Sequence, residues 1–185
     1  METARSFIAL DIGDEIRERL DELQRKLKKL HANVRWIRPK DIHLTLAFLG
    51  DVPVDKIDLI KAAMGLAGEK TARFEVAAAG IGTFGRPGHP RVIWAGVPAC
   101  PALTLLQRQL VAALLAAEID VDRKPFSPHL TLGRVKGIDR HTASMLEKIE
   151  KYAETPIGRT RIDHIGLIRS DLTSRGADYT VLHRS

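Results

Sequence analysis

The residues best suited to chemistry in this chain lie in a tetrapeptide that occurs twice. The sequence His-Leu-Thr-Leu at residues 43–46 is repeated letter for letter at residues 129–132, and Pro39 and Pro125 stand four positions before the two histidines. In a chain of this composition, about 0.1 copies of His-apolar-Thr-apolar are expected by chance. Two identical copies therefore predict two half-chain lobes, each built around one motif strand.

The spacing within the tetrapeptide favours a strand over a helix. Successive side chains of a strand point to opposite faces, so His43 and Thr45 would share one face while the two leucines anchor the other face in the core. On a helix, residues two positions apart point in different directions. A second lobe that brings up His129 and Thr131 would complete a cleft with two imidazoles and two hydroxyls.

These groups are the ones that phosphodiester hydrolysis needs. A neutral imidazole takes a proton from water and an imidazolium gives one to the leaving oxygen, each contributing about 100- to 10,000-fold. Histidine titrates near neutrality, so both forms coexist. The threonine hydroxyls and the guanidinium of Arg134 are suited to holding phosphate oxygens. Arg134 lies an odd number of positions after His129, and Gly133 permits a bulge that would turn it towards the cleft.

The elements that position the motifs alternate between strands and amphipathic helices. Apolar runs and turn signals predict strands at residues 6–12, 34–37, 42–49, 73–79, 91–97, 129–135, 159–163, 165–169 and 177–182. Helices are predicted at residues 14–30, 56–66 and 103–118, and from a cap at Asp139 to about Tyr152. The connections are mainly hairpin-like, which predicts the α+β class.

The composition limits the classes of protein to which the chain can belong. The chain has 185 residues, of which 44% are hydrophobic and 28% charged, as is typical of a globular protein. Its net charge of +6 favours a polyanionic partner, although many basic proteins bind none. Cys100 is the only cysteine, which excludes an intrachain disulfide and predicts a packed or surface thiol. No signal peptide or membrane-spanning run is evident, so we expect a cytoplasmic protein.

Taken together, the sequence resembles the bacterial and archaeal RNA 2′,3′-cyclic phosphodiesterases, also known as 2′-5′ RNA ligases. They belong to the two-histidine (2H) phosphoesterase superfamily, which is named for a pair of His-x-Thr/Ser-x motifs. The likeness covers nearly the whole chain and is carried by residues 5–10, 34–39, 43–50, 126–134 and 167–172, with Gly176 and Tyr179.

The resemblance implies a bilobal fold, in which two pseudo-symmetric lobes with antiparallel sheets flank a central cleft and carry helices outside. Residues 1–185 would form this single domain, with one motif in each lobe. His43 would be the proton donor and His129 the proton acceptor, an assignment that the symmetry of the sequence leaves open. Thr45, Thr131 and Arg134 would hold the phosphate, and no metal or other cofactor would be needed.

The expected partner is RNA with a 2′,3′-cyclic phosphate end, tRNA fragments among the candidates, or a cyclic nucleotide. The products would be 2′-phosphate ends, and the reverse reaction would join RNA ends through a 2′-5′ bond without ATP. We expect a monomer that contacts no membrane. Two alternatives stay open: a module that binds RNA ends without turning them over, and an enzyme whose dominant direction is ligation.

Several other features of the sequence have simpler explanations. Residues 80–85 match Gly-x-Gly-x-x-Gly, but the prolines that follow prevent a prompt helix, so we predict a flexible loop at the edge of the cleft, where Phe84 and Arg86 could touch RNA or Phe84 could anchor local packing. Phe48 and Tyr179 could stack on a base or ribose, or pack in the core. The remaining histidines are predicted to lie at the surface: His31, His89, His141, His164 and His183.

Overall fold

The computed structural model describes residues 2–69, 71, 73–174 and 176–185. Within these ranges the helices are Asp14–Lys28 (α1), Ile57–Glu69 (α2), Pro101–Ala116 (α3) and Arg140–Glu150 (α4). The strands are Thr3–Leu10 (β1), Val34–Trp36 (β2), Leu44–Pro53 (β3), Phe74–Arg86 (β4), His89–Gly96 (β5), His129–Val135 (β6), Pro156–Ile162 (β7), Gly166–Thr173 (β8) and Gly176–Arg184 (β9). The α+β class predicted from the sequence is confirmed.

The strands form one antiparallel sheet with two halves. The order is β7-β4-β5-β6-β3-β1-β8-β9, and the short β2 pairs with β6. The two motif strands, β3 and β6, therefore lie side by side at the centre, where Leu44 pairs with Leu130. Each half places its motif strand at this junction and its other strands outside.

Helix α1 supports the site through its buried stripe. Ile16, Leu20 and Leu27 are buried as the helical spacing predicts. Gln24, four positions after Leu20 on the same stripe, is fully buried although it is polar, and its Nε2 donates to the carbonyls of Ile37 and Leu132 at 2.9 Å each. Because an unpaired buried carbonyl costs about 1–3 kcal/mol, this amide ties the helix to the second motif strand.

The last helix has the predicted cap. The side chain of Asp139 accepts a hydrogen bond from the backbone N–H of Thr142 at 2.7 Å, which satisfies one of the free donors of the first turn of α4. None of the helices in the described ranges combines the length and apolar character that crossing a bilayer requires.

The prediction of a loop between β4 and β5 is wrong. The two strands continue towards each other as a hairpin that pairs Arg86 with His89, so residues 80–85 lie within β4. Two glycines explain the error. Gly88 has a positive φ of 73°, which a tight turn requires, and a Cβ at Gly82 would overlap the ring of Trp94 on the neighbouring strand. The glycines thus permit close pairing instead of breaking it.

Candidate active site

The junction of the two halves brings the motifs together at equivalent positions. Leu44 and Leu130, the second residue of each motif, are partners in the ladder, and each is 1% exposed. The histidine that precedes each leucine and the threonine that follows it lie on the opposite face. His43, Thr45, His129 and Thr131 line one cavity of about 750 Å³.

The same cavity contains the other residues singled out from the sequence. Arg134, Phe48 and Tyr179 line it, as does Ser170, to which the sequence assigned no role. Its rim also carries three arginines that the sequence did not single out: Arg5, Arg35 and Arg38. Asp41, Asp122 and Asp178 line the same cavity, so its four arginines leave a small positive excess, which suits a cavity that binds an anion.

Matching bulges in the two motif strands turn two further side chains into the cavity. Between β3 and β1, Leu46 has no partner, because Ala9 pairs with Thr45 and Ile8 with Ala47. Between β6 and β5, Leu132 has no partner for the same reason. A bulge reverses the facing of the residues that follow it. Phe48 and Arg134, each five positions after a motif histidine, therefore both face the cavity.

The bulge in β6 lies at Leu132, one residue before the predicted position at Gly133. The two motifs are thus equivalent in backbone but differ in chemistry, since the fifth position carries a half-exposed phenyl ring in one half and a guanidinium in the other.

Both imidazoles are held in the same way by the backbone. Nδ1 of His43 lies 2.7 Å from the carbonyl oxygen of Asp41, and Nδ1 of His129 lies 2.7 Å from that of Ser127. A carbonyl oxygen only accepts, so Nδ1 carries a proton in both rings. Nε2 is then the nitrogen that gains or loses a proton, and it is the nitrogen available to a ligand in the cavity.

Aromatic side chains restrict the tilt of both imidazoles. The ring of Phe7 stacks on His43 with a centroid distance of 4.6 Å, and Tyr179 meets His43 edge-on at 5.3 Å. Phe84 meets His129 edge-on at 4.9 Å. The local packing predicted as one use of Phe84 is confirmed by its contacts with Trp94 and His129.

The arrangement agrees with comparisons against known proteins. The family model of the LigT-like phosphoesterases matches residues 10–94 and 96–177. The RNA 2′,3′-cyclic phosphodiesterase of Methanothermobacter thermautotrophicus is 33% identical over 95% of each chain, and that of Aquifex aeolicus is 33% identical over 98% of this chain and 96% of its own.

Among solved structures, TT0787 of Thermus thermophilus superposes with a TM-score of 0.82 at 28% identity, covering 97% of this chain and 96% of its own. LigT of E. coli complexed with 3′-AMP superposes with a TM-score of 0.75 at 27% identity, covering 100% and 98%. This chain belongs to the LigT-like phosphoesterase family.

In this LigT-like phosphoesterase, charge breaks the symmetry between the two histidines. Asp41 stands two residues before His43, whereas the matching position before His129 is Ser127. The Asp41 carboxylate forms an ion pair with Arg38, which also binds Asp178 at 2.8 Å. One imidazole therefore has a carboxylate beside it that the other lacks.

The environment of His43 has opposing effects on its pKa. Burial lowers the pKa of His43 below its ordinary value and outweighs the hydrogen bond to the Asp41 carbonyl and the charge of the Asp41 carboxylate, which raise it. A charge on His129 lowers it further. Together these effects favour the neutral form of His43. Burial likewise raises the pKa of the neighbouring Tyr179.

The sequence pattern identified both histidines but not the side chains that surround the imidazole of His43. Phe7, Arg38 and Asp41 all lie in segments quoted for the family resemblance or beside them, but nothing in their own spacing marks them as neighbours of an imidazole. Aligning the flanks of the two motifs would have exposed Asp41, because it is the position where a charge replaces a neutral residue.

Other predicted positions lie outside the cavity. Cys100 is a half-buried thiol whose Sγ lies 3.7 Å from the carbonyl of Glu75. The surface prediction is wrong for His164 and His183, which are partly buried, while His31, His89 and His141 are exposed. In the described ranges, no group of three or more His, Cys, Asp or Glu side chains is placed to hold a metal ion.

Proposed function

We propose that this protein hydrolyses 2′,3′-cyclic phosphates at RNA ends to 2′-phosphomonoesters. The observation that carries the proposal is the convergence of two His-Thr pairs and Arg134 on one cavity. This set contains an acid, a base and groups that neutralise the charge of a phosphate. The curated relatives at 33% identity are named RNA 2′,3′-cyclic phosphodiesterases, which supports the same substrate class.

The chemistry follows from the two free Nε2 atoms. Nε2 of His129 takes a proton from water as the water oxygen attacks phosphorus. The bond between phosphorus and O3′ breaks, and Nε2 of His43 gives its proton to that oxygen. The hydroxyls of Thr45 and Thr131 and the guanidinium of Arg134 hold the non-bridging oxygens, whose charge rises during attack. Acid, base and charge stabilisation all come from side chains, so the proposed reaction requires no metal.

The proton donor must carry a proton when the substrate is bound. Burial lowers the pKa of His43 and favours its neutral form, which by itself would suit a base. The bound phosphodiester is an anion, and a negative charge next to an imidazole raises its pKa. Asp41 acts in the same direction, and the matching position before His129 is the neutral Ser127. Charge around His43 therefore supports the donor role once the substrate has bound.

The exposed ring of Phe48 is suited to the nucleoside. It is 53% exposed inside the cavity, which is unusual for a phenylalanine, and an aromatic face there offers a base or ribose a stacking surface. Tyr179 also lines the cavity, but its ring packs on His43 and Phe7, so we assign it a supporting as well as a binding role.

The reverse reaction uses the same groups. By microscopic reversibility, a ribose hydroxyl in place of water would give ATP-independent 2′-5′ joining, while the large excess of water over RNA ends favours hydrolysis. We further propose that residues 1–185 act as one bilobal domain with a motif in each lobe, and as a monomer. tRNA fragments remain candidate substrates.

The decisive experiment uses a short RNA that ends in a 2′,3′-cyclic phosphate, incubated with the protein in excess EDTA. The proposal predicts multiple turnovers to a 2′-phosphate, identified by phosphorus NMR against 2′- and 3′-phosphate standards. Activity that disappears when metal is chelated would overturn the mechanism. Tight binding without product would favour the alternative, a module that binds RNA ends.

A further inference from the structure

A second cavity of about 310 Å³ adjoins the main one behind the first motif histidine. The two cavities share Asp41, His43 and Tyr179 as a common wall. The second cavity therefore begins where the proposed chemistry takes place, and a ligand that extends past His43 would enter it.

The last two strands give both cavities a continuous floor. On β8, Ser170 and Leu172 line the main cavity, and Ile168, on the same face, lines the second. On β9, Tyr179 lines both, and Val181 continues into the second. Leu172 is 72% exposed and Val181 is 49% exposed, whereas Ile168, Ser170 and Tyr179 are partly buried, so the track presents exposed apolar surface at Leu172 and Val181.

A bulge places a cation at the far end of this track. Ile168 pairs with Val181 and Leu167 with His183, which leaves Leu182 without a partner in the ladder. The extra residue reverses the facing of β9. Arg184 consequently lines the second cavity instead of pointing to the opposite face.

Ion pairing inside the second cavity leaves two cations available. The carboxylate of Asp11 is held by Arg17 at 2.6 Å, and that of Asp41 by Arg38. Lys40 and Arg184 are exposed and have no ion-pair partner among the residues that the structure describes. Apolar surface beside two available cations suits single-stranded nucleic acid, because its phosphates can meet Lys and Arg while a base or ribose covers the apolar side chains.

We propose that this cavity binds the nucleotide next to the reacting end of a single-stranded RNA, with Lys40 and Arg184 on its phosphate and Ile168 and Val181 beneath its base or ribose. The inference rests on the proposed function. If the 2′,3′-cyclic end of an RNA lies in the main cavity, the rest of the RNA chain must continue out of that cavity. Binding in the second cavity makes an oligonucleotide a better substrate than a mononucleoside cyclic phosphate.

The first test compares kcat/KM for a short RNA and for a mononucleoside 2′,3′-cyclic phosphate with the same terminal base. The wild-type ratio should exceed about tenfold, corresponding to one or two phosphate contacts. In Lys40→Ala, Arg184→Ala and the double variant, the ratio should fall stepwise towards one. Lys148→Ala, an exposed charge on α4 outside both cavities, serves as the control and should keep the wild-type ratio. An unchanged ratio in the double variant would overturn the inference.

The second test separates this inference from the proposed function. A fluorescent RNA that ends in a 2′-phosphate is titrated with each protein at several salt concentrations. Each lost phosphate contact should reduce the slope of log affinity against log salt by about 0.7. If wild-type protein turns nothing over but the variants show this loss, the site stands and the hydrolysis proposal fails. If polyglutamate displaces the RNA as readily as unlabelled RNA does, the site is a general anion surface and the inference fails.

Discussion

Leu44 and Leu130 occupy the same position of the two motifs and pair with each other across the centre of the sheet. In the described part of the chain this is the one register pair between β3 and β6, and both side chains are buried. The residues on either side of each leucine, a histidine and a threonine, are thereby turned together into one cavity. A duplicated tetrapeptide thus becomes a two-sided site through a single buried contact.

The first prediction concerns the two histidines. His43→Ala and His129→Ala should each reduce kcat for a cyclic phosphate substrate by at least about 100-fold, because each removes one proton-transfer step. Both side chains are only partly buried, so both variants should keep the fold, and His43→Ala, which removes the ring stacked on Phe7, should lower the unfolding temperature more than His129→Ala does. His89→Ala, at an exposed turn, is the control and should keep full activity. Residual activity above one tenth in either motif variant would contradict the acid–base assignment.

The second prediction uses Asp41 to decide which histidine gives the proton. Its charge raises the pKa of His43, so Asp41→Asn should lower that pKa further, as measured by NMR titration of labelled histidine. If His43 is the donor, fewer molecules carry its proton near pH 7, and kcat/KM there should fall several-fold. If His43 is the base, kcat/KM should hold or rise, which would reverse the assignment.

The pH dependence of stability provides a third prediction. The pKa of His43 is lower in the folded than in the unfolded chain, so below about pH 6.5 the unfolded chain binds more protons. This contribution to stability is present above that pH and is lost as the pH falls. Denaturant titrations should therefore show that wild-type protein loses more unfolding free energy between about pH 7 and pH 5 than His43→Gln does. Equal losses in the two proteins would refute the effect.

Much of the site could be predicted because it depends on local pattern. The alternation of side chains in a strand places His43 with Thr45, and the repeat places them opposite their counterparts. Arg134 required one more step, a bulge inferred from its odd spacing, and the structure has that bulge one residue away. These features follow from residues that are neighbours in sequence.

The rest depends on contacts between distant segments. Phe7 on β1 and Tyr179 on β9 meet the ring of His43 only after the sheet has formed. The role of the buried Gln24 is set by the two carbonyls that it satisfies, which belong to segments that meet α1 only in the folded chain. The sequence predicts a loop where the β4–β5 hairpin forms. Glycines that permit close strand contact cannot be distinguished in the sequence from glycines that end a strand.

The fourth prediction concerns Arg134. Arg134→Lys keeps the positive charge but loses the planar pair of donors that matches phosphate oxygens, so kcat/KM should fall about 10-fold, with a larger loss for Arg134→Ala. Arg134 is exposed, and neither change should alter stability appreciably. Arg19→Ala, on the exposed face of α1 and outside the cavity, is the matched control. Equal activity of the Lys and Ala variants would show that the donor geometry is immaterial.

The final prediction tests the close packing behind the second motif. A Cβ at Gly133 would lie 2.7 Å from Cγ1 of Val34 and 3.2 Å from the ring of Trp36, so Gly133→Ala should push β2 away and cost about 1–3 kcal/mol of unfolding free energy. Gly65, inside α2, has nothing within 4 Å of the same position. Gly65→Ala should therefore stabilise the protein by about 0.5–1 kcal/mol through helix propensity. Denaturant titration of the two variants measures both changes. If Gly133→Ala is as stable as the wild type, β2 can move to accommodate the added Cβ without an energetic cost, and the prediction is wrong.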